Sequence, residues 1–307
     1  MNIRAIVTGA TGFIGSHLCH TLLKKGAEVY GVGRKEDNWC QFYEYEKFHM
    51  IALDFEHYYE MKDIIADRDF DYFIHTALSG VNGKDKKDYR IQLNNTVVAC
   101  DAVKIAKELQ CKRFVMLGSV DEFESCFSPD SEFAMPNHAR VYGLAKFAAE
   151  NIGKTVALDL EMEYVSALLS LTYGEGNKTN ILPNMIIRNA SKGLPMNLIT
   201  GDNYFDMIYI DDAVEGILTV ADKGRNMESY FIGHSELKTF RAYVEEICAA
   251  LQTDIELKFG TYQDSSSVVR FEDIRRDKLF DDTGFVCRTS IDEGILATQK
   301  WLLSQEI

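Results

Sequence analysis

A glycine-rich turn near the start of the chain constrains its fold more than any other feature. An apolar run at residues 3–7 leads directly into TGATGFIG at residues 8–15, and an amphipathic segment follows. A buried strand, a glycine turn and a helix in this order are the setting in which three glycines bind a dinucleotide. Gly9 permits the tight turn, Gly12 lets the backbone approach a pyrophosphate, and Gly15 lets the helix pack closely on the sheet.

The same turn predicts where a cofactor binds. The backbone N–H groups at the helix start and the positive end of the helix dipole attract phosphates. A closely packed turn without a ligand would also need small residues, but the strand and helix around it favour a cofactor site. The residues predicted to form this site are Gly9, Thr11, Gly12, Phe13, Ile14 and Gly15. We therefore expect an α/β fold with a doubly wound, Rossmann-like parallel sheet.

The length and charge of the chain narrow the class of protein. At 307 residues it can bury a large core, and it suits one domain of two lobes or two small domains. A formal net charge of −14 argues against a nucleic-acid partner, because phosphate backbones are bound by basic faces. No run approaches the ~20 apolar residues of a membrane-spanning helix. We therefore expect no membrane partner and a cytoplasmic location.

The cysteines and histidines predict neither a disulfide framework nor a metal site. The seven cysteines are dispersed and form no Cys-x-x-Cys pair, which is typical of reduced thiols. None of the seven histidines has metal-ligand spacing with a nearby acid. His75, at the end of a predicted strand, is interpreted as a core histidine.

The end of the second predicted strand, residues 28–33, bears on the type of cofactor. Enzymes that prefer NAD place a carboxylate there for the ribose 2′-hydroxyl, whereas the 2′-phosphate of NADP needs cations. Gly33 occupies this position, and Arg34 and Lys35 follow it. The two cations are either solvated charges at a strand exit or, as we favour, phosphate ligands. NADP(H) is therefore predicted over NAD(H).

Two further strand ends point toward the same cofactor. Asp54 and Phe55 follow the third predicted strand, where the carboxylate and the ring can bind adenine; a helix cap by Asp54 is an equal alternative. Thr76 and Ala77 lie in a small-residue turn after the fourth strand and are expected to pass beneath the cofactor. Ser79, in the same turn, is assigned to the substrate side.

Tyr142 and Lys146 lie four residues apart on a predicted helix and therefore share a face. The spacing alone proves little, since two other tyrosine–lysine pairs in the chain have it. Only this pair follows a strand-end serine, Ser119, on the helix after the fifth strand. A tyrosine titrates at about pH 10, so proton exchange near neutrality needs a neighbouring cation. We predict that Tyr142 exchanges the proton, Lys146 tunes it and Ser119 holds the substrate oxygen; a structural tyrosine in a helix seam is the alternative.

The glycine turn, Ser119 and the Tyr142/Lys146 pair together resemble the extended short-chain dehydrogenase/reductase family, in its nucleotide-sugar epimerase/dehydratase branch. Later stretches resemble the same family, at residues 71–77, 173–174, 206–212 and 284–295. The resemblance spans nearly the whole chain. It implies an NAD(P)-dependent enzyme.

The resemblance also implies an organisation into two parts. Residues 1–170 would form the cofactor-binding Rossmann domain, to which residues 206–233 return. Residues 171–307 would form a smaller α/β lobe that closes over a nucleotide-sugar. A homodimer through the long helices near 88–109 and 138–158 is the usual assembly.

Departures from the family pattern narrow the expected reaction. In the family's 4,6-dehydratases the hydroxyl residue is followed by Asp and Glu, which act as acid and base, but Val120 and Asp121 follow Ser119 here. Valine cannot donate a proton, so dehydration is disfavoured. Residues 118–123 are similar to a Gly-Ser-x-x-Glu-Tyr variant of some sugar-nucleotide 4-ketoreductases.

Two positions that commonly hold the nucleotide diphosphate in the family also differ. Phe205 stands where an arginine is common, and Leu171 where an asparagine is common. Arg270, at a position that resembles another phosphate ligand of the family, is still present. The residues predicted to contact substrate are Ser79, Ser119, Val120, Asp121, Tyr142 and Arg270.

These observations favour NADPH-dependent reduction of a 4-keto nucleotide-sugar, in which Tyr142 protonates the oxygen, Ser119 orients it and Lys146 binds the nicotinamide ribose. A nucleotide-sugar 4-epimerase, which uses the same three residues and keeps its cofactor bound, is the main alternative. A regulatory protein that senses cofactor occupancy is an alternative of another class, motivated by the loss of the two phosphate-binding positions.

Overall fold

The protein was analysed as a computed structural model, which describes residues 3–34, 39–81, 83–126, 140–262 and 269–305. Seven strands form its main sheet: β1 (Arg4–Thr8), β2 (Glu28–Gly33), β3 (Phe48–Ala52), β4 (Tyr72–His75), β5 (Arg113–Ser119), β6 (Glu163–Leu169) and β11 (Ser229–Ile232). Their order is β3-β2-β1-β4-β5-β6-β11, and all neighbours are parallel. The prediction of a doubly wound α/β sheet is confirmed.

The order of the strands reverses between β1 and β4, because the chain runs outward from β1 in one direction and then returns to build the other half. In open parallel sheets the carboxyl ends of the strands at such a switch point form a crevice. Thr8 and His75 end the two central strands side by side. The sheet therefore positions the glycine turn, which follows β1, over the middle of this crevice.

Helices cover both faces of the sheet. They are α1 (Phe13–Lys24), α2 (Met61–Ile64), α3 (Tyr89–Glu108), α4 (Arg140–Asp159) and α6 (Ile210–Lys223). Side chains of β1 are therefore buried on both faces of the sheet. Ala5 and Val7 belong to one hydrophobic cluster, and Ile6, which points the other way, belongs to a second. A strand covered on both faces has no polar face, which explains the continuous apolar run in the sequence.

Smaller elements lie outside the main sheet. The strands are β7 (Leu171–Tyr173), β8 (Met196–Leu198), β9 (Tyr204–Phe205), β10 (Met207–Tyr209), β12 (Lys238–Thr239) and β13 (Leu257–Phe259). They form three two-stranded pairs, β10 with β7, β12 with β9 and β13 with β8. The helices are α5 (Leu182–Lys192), α7 (Phe240–Ala250), α8 (Lys278–Thr283) and α9 (Ile291–Ser304). A capping box between Ser290 and Glu293 starts α9.

The sequence predicts helices at residues 58–67 and 273–281, and the structure departs from both predictions. In the first region a 3-10 helix occupies Phe55–Glu60 and α2 ends at Ile64. In the second, the 3-10 helix Phe271–Asp273 is followed by an extended residue at Ile274 before α8 begins. Phe271 and Ile274 are both buried in a small cluster with Phe231, and this packing outweighs the local helical preference.

Candidate active site

A cleft of about 1850 Å³ opens at the carboxyl ends of the central strands. Apart from Lys35, it brings together the residues that the sequence singled out for cofactor or substrate contact, from the glycine turn, the strand ends, α4 and the segment before the 3-10 helix Phe271–Asp273. These residues are Gly9, Thr11, Gly12, Phe13, Ile14, Gly15, Arg34, Asp54, Phe55, Thr76, Ala77, Ser79, Ser119, Val120, Asp121, Tyr142, Lys146 and Arg270. Their individual roles stay predictions.

The glycine turn has the geometry that a phosphate site needs. Gly9 has φ +69°, and a Cβ there would lie 2.8 Å from Oγ1 of Thr76, so only glycine fits. Gly12 stands at the N-cap of α1, where no side chain caps the helix and no acidic residue lies in the first turn. The start of α1 lines the cleft, and its own first turn places no acidic side chain at the positive end of the helix dipole. This arrangement fits the pyrophosphate of a dinucleotide.

The part of the cleft beside β2 and β3 carries Arg34 at the exit of β2 and Asp54 at the exit of β3. Oδ1 of Asp54 accepts hydrogen bonds from the backbone N–H of Glu56 at 3.2 Å and from the His57 ring at 2.7 Å. Asp54 therefore caps the 3-10 helix Phe55–Glu60, and its contact with adenine stays a prediction. The second predicted cation, Lys35, lies outside the described residues.

The three predicted catalytic residues converge at the end of β5. Oγ of Ser119 accepts the backbone N–H of Asp121 at 3.2 Å, and the Ser119 hydroxyl also hydrogen-bonds the phenol of Tyr142. Burial raises the pKa of Tyr142, and the Asp121 carboxylate adds to this, while the Ser119 bond acts in the opposite direction. A raised pKa favours the protonated phenol of Tyr142 near neutral pH, the form that can act as an acid.

Lys146 lies one turn further along α4 and is buried. Its ammonium donates to the Leu117 carbonyl at 2.6 Å. Burial lowers the pKa of Lys146, and the carboxyl groups of Glu122 and Glu150 oppose that effect. The helix is held in place from α3, because Oγ1 of Thr96 donates to the Ala145 carbonyl at 3.0 Å.

The role of Glu122 was not predicted from the sequence. Its carboxyl group binds the backbone of Ser119. Its Oε1 accepts the backbone N–H of Ser119 at 2.8 Å. Gly118 makes this possible, since a Cβ there would lie 2.6 Å from that oxygen. The carboxyl also hydrogen-bonds Glu150, and burial raises the pKa of Glu122. The Gly-Ser-x-x-Glu pattern at residues 118–122 is the signal that could have identified it.

A second missed residue is Lys86, on the 3-10 helix Asp85–Lys87 between β4 and α3. It lines the cleft, and its Nζ lies 3.0 Å from Oδ2 of Asp121 and 4.7 Å from the ring centroid of Tyr142. No local sequence pattern distinguishes Lys86 from its neighbours Lys84 and Lys87. Its position depends on how the loop packs against α4.

The far end of the cleft differs from a simple cationic phosphate site. Phe205 packs its ring against Phe240, Tyr243 and Phe271, with centroids 5.5, 5.8 and 6.2 Å apart. Arg270 lies in the cleft and contacts carboxylates, with Nε 3.1 Å from Asp273 and 3.5 Å from Glu272. An aromatic cluster therefore occupies the place where the family pattern suggests an arginine.

His75 behaves as the core residue that the sequence suggested. Its Nδ1 lies 3.0 Å from Oγ1 of Thr8, and burial lowers its pKa to about 3. Among the residues that the structure describes, no cluster of three or more histidine, cysteine or acidic side chains is placed to bind a metal. Within those same residues, no helix has the length and apolarity needed to cross a bilayer.

Comparison with known proteins agrees with this geometry. Residues 5–233 match the family described as "NAD dependent epimerase/dehydratase family". The chain belongs to this family. The predicted resemblance and the expectation of an NAD(P)-dependent enzyme of the extended short-chain type are thereby confirmed.

Individual members of the epimerase/dehydratase family are only distantly similar. CDP-abequose synthase of Yersinia pseudotuberculosis is 24% identical, over 73% of this chain and 75% of its own length. The dTDP-4-dehydro-6-deoxyglucose reductase of Escherichia coli is 23% identical, over 79% and 80%. The structure of UDP-glucuronic acid 4-epimerase from Bacillus cereus, with UDP-glucuronic acid and NAD, has a TM-score of 0.78 at 18% identity, covering 99% and 100%. At these identities the solved structure supports the fold.

Proposed function

We propose that the protein reduces the 4-keto group of a nucleotide-activated sugar with NADPH. The observation that carries the proposal is the phenol of Tyr142, which lines the cleft that begins at the glycine turn and hydrogen-bonds Ser119. Burial raises its pKa and so favours the protonated form. A group held in its acid form beside a substrate oxygen is suited to donate a proton to it.

In this mechanism, side chains of the cleft orient the substrate and move the proton. The nicotinamide, when bound, supplies a hydride to the keto carbon. Ser119 donates a hydrogen bond that orients the keto oxygen, and Tyr142 transfers its proton to that oxygen as the hydroxyl forms. Lys146, held by the Leu117 carbonyl, provides positive charge beside the resulting phenolate, which solvent then reprotonates.

Two features support reduction over dehydration. Val120 follows the catalytic serine at the position where dehydratases of the family carry a general acid, and it cannot donate a proton. The relative named dTDP-4-dehydro-6-deoxyglucose reductase supports the same reaction class. Its name and that of CDP-abequose synthase both support a nucleotide-sugar substrate.

The preference for NADP rests on Arg34. It lines the cleft at the exit of β2, and Gly33 occupies the strand end where a ribose-binding carboxylate would stand. Because a guanidinium binds phosphate through several N–H groups, Arg34 suits the 2′-phosphate.

The first test measures oxidation of NADPH at 340 nm with 4-keto derivatives of CDP-, dTDP-, UDP- and GDP-sugars. A thermal-shift screen of the corresponding nucleotide-sugars that lack the keto group guides the choice of substrate, because a ligand that binds only the folded state raises the melting temperature. NADPH consumption that depends on the keto sugar supports the proposal. Tyr142→Phe should abolish it while cofactor affinity is retained, and undiminished turnover in this variant contradicts the mechanism.

A 4-epimerase is the second candidate, because it would use the same three side chains of the cleft, Ser119, Tyr142 and Lys146. The two candidates differ in how they treat the cofactor. A purified protein that retains NAD⁺ through gel filtration and interconverts two 4-epimers is an epimerase. A protein that is purified without cofactor and is saturable by NADPH is a reductase.

A further inference from the structure

An ammonium group outside the predicted trio lies at the face of the Tyr142 ring. Lys86 reaches it from the loop between β4 and α3, with Nζ 4.7 Å from the ring centroid. The same Nζ lies 3.0 Å from Oδ2 of Asp121, which holds it in this position. Its neighbours Lys84 and Lys87 are exposed and do not line the cleft.

We propose that Lys86 is an electrostatic partner of Tyr142, whose ammonium stabilises the phenolate that forms when Tyr142 gives up its proton. Asp121 positions this ammonium. The inference rests on the proposed function in one respect, since Tyr142 must be the group that exchanges the proton.

The sign of the effect follows from the charge of the ring. An ammonium within about 6 Å of an aromatic centroid is already attracted to the neutral ring. When the phenol ionises, the attraction becomes one between full opposite charges, so the ionised form gains more than the neutral form. The separation is well below the screening length of about 8 Å at physiological salt, and Lys86 is only partly exposed. Lys86 therefore favours ionisation of Tyr142.

The carboxylates around Tyr142 act in the opposite direction to Lys86. Asp121 and Glu122 approach from the 3-10 helix Val120–Cys126, and both raise the pKa of the phenol. Lys146 approaches from α4 itself and is bound to the Leu117 carbonyl. Lys86 is paired with Asp121, the carboxylate that raises the pKa of Tyr142 more, while its own charge faces the ring. Loss of Lys86 removes a cation and also exposes Tyr142 to an unpaired anion, and both changes disfavour the phenolate.

The test reads the ionisation of Tyr142 directly and needs no substrate. A fluorinated tyrosine, whose phenol is more acidic than tyrosine, is incorporated at position 142, and its ¹⁹F chemical shift is titrated against pH. Lys86→Met is expected to raise the midpoint by about one pH unit, a ten-fold change in the ionisation constant. Lys86→Arg retains the charge and should stay within a few tenths of a unit of the parent. Lys87→Met, on the same 3-10 helix, is the matched control and should not shift it.

A double variant tests whether the unpaired carboxylate of Asp121 contributes to the effect of losing Lys86. In Lys86→Met/Asp121→Asn the midpoint should return part of the way to the parent value, because the unpaired carboxylate is gone. A midpoint as high as in Lys86→Met contradicts the role of Asp121. A midpoint unchanged by Lys86→Met overturns the whole proposal.

The titration and the turnover assay separate this inference from the proposed function. An unchanged midpoint, together with an inactive Tyr142→Phe enzyme, refutes the role of Lys86 alone. A raised midpoint, together with a fully active Tyr142→Phe enzyme, refutes the proposed function alone. Where both hold, the pH at which kcat falls should shift in Lys86→Met in the same direction as the ¹⁹F midpoint.

Discussion

A buried ion pair at the start of the segment 206–212 allows a stability prediction with a definite size and pH dependence. Asp206 is fully buried, Arg276 is one-tenth exposed, and Nη1 of Arg276 lies 2.6 Å from Oδ2 of Asp206. The same Nη1 donates to the His234 carbonyl at 2.7 Å, and the His234 N–H donates back to Asp206 at 3.2 Å. This latch joins the segment before β10, the loop after β11 and the segment before α8.

Replacing Arg276 by Met keeps an unbranched side chain beside the rings of Phe231 and Phe271 but leaves a buried carboxylate without its partner. Removal of one member of a buried pair costs about 3–5 kcal/mol, most of it the penalty of the unpaired charge. The free energy of unfolding should fall by this amount. At about 2 °C per kcal/mol, the melting temperature should fall by roughly 6–10 °C.

The stability deficit of Arg276→Met, which is its loss of unfolding free energy relative to the parent, should depend on pH with a known sign. Burial already raises the pKa of Asp206 in the parent, and loss of the guanidinium raises it further. A carboxyl group with a higher pKa in the folded state binds more protons there, so its contribution to stability increases as pH falls toward the unfolded pKa of about 4. The deficit of Arg276→Met is therefore largest near neutrality and becomes smaller as the pH is lowered.

Urea unfolding of the parent and the variant between about pH 5 and 7.5 measures both quantities. Arg275→Met is the matched control, because Arg275 is an exposed neighbour whose ion pairs with Asp277 and Asp281 lie in solvent. Exposed pairs contribute about 0–1 kcal/mol, so this control should remain close to the parent. A loss below about 1 kcal/mol for Arg276→Met at pH 7, or a deficit that grows as pH falls, would refute the reasoning.

Three further predictions concern the cofactor, the core and the assembly. Arg34→Ala should weaken NADPH about ten-fold and leave NADH nearly unchanged by calorimetry, because only the 2′-phosphate loses a ligand; an equal loss for both would contradict the NADP assignment. His75 has a pKa of about 3 in the folded state and of about 6.5 in the unfolded state, so its contribution to stability is present above pH 6.5 and is lost as pH falls. In urea melts, the parent should lose free energy of unfolding between about pH 6.5 and 5, and His75→Phe should lose about 2 kcal/mol less over the same range. An apolar stripe on α3 is formed by Tyr89, Leu93 and Val97, each more than half exposed. Leu93→Lys should convert the predicted homodimer to a monomer, as measured by light scattering. A parent protein that is already monomeric would contradict the homodimer prediction.

The sequence by itself determined the features that local patterns encode. The apolar run, the glycines and the amphipathic segment of residues 3–24 are contiguous, so their strand–turn–helix conformation follows from neighbouring residues. The positions of Ser119 and Tyr142 relative to a strand end and a helix are local in the same sense. Because parallel strands must end at a common edge, those local elements were enough to predict the cleft.

The tertiary structure alone decided which distant side chains meet. Lys86 lies 35 positions from Asp121, and Asp206 lies 70 positions from Arg276, so no periodicity links them. The helix expected at residues 273–281 failed for the same reason, since burial of Phe271 and Ile274 against Phe231 is a long-range contact. Packing selects such partners from many residues of equal local character, and in this protein it placed the second cation at Tyr142.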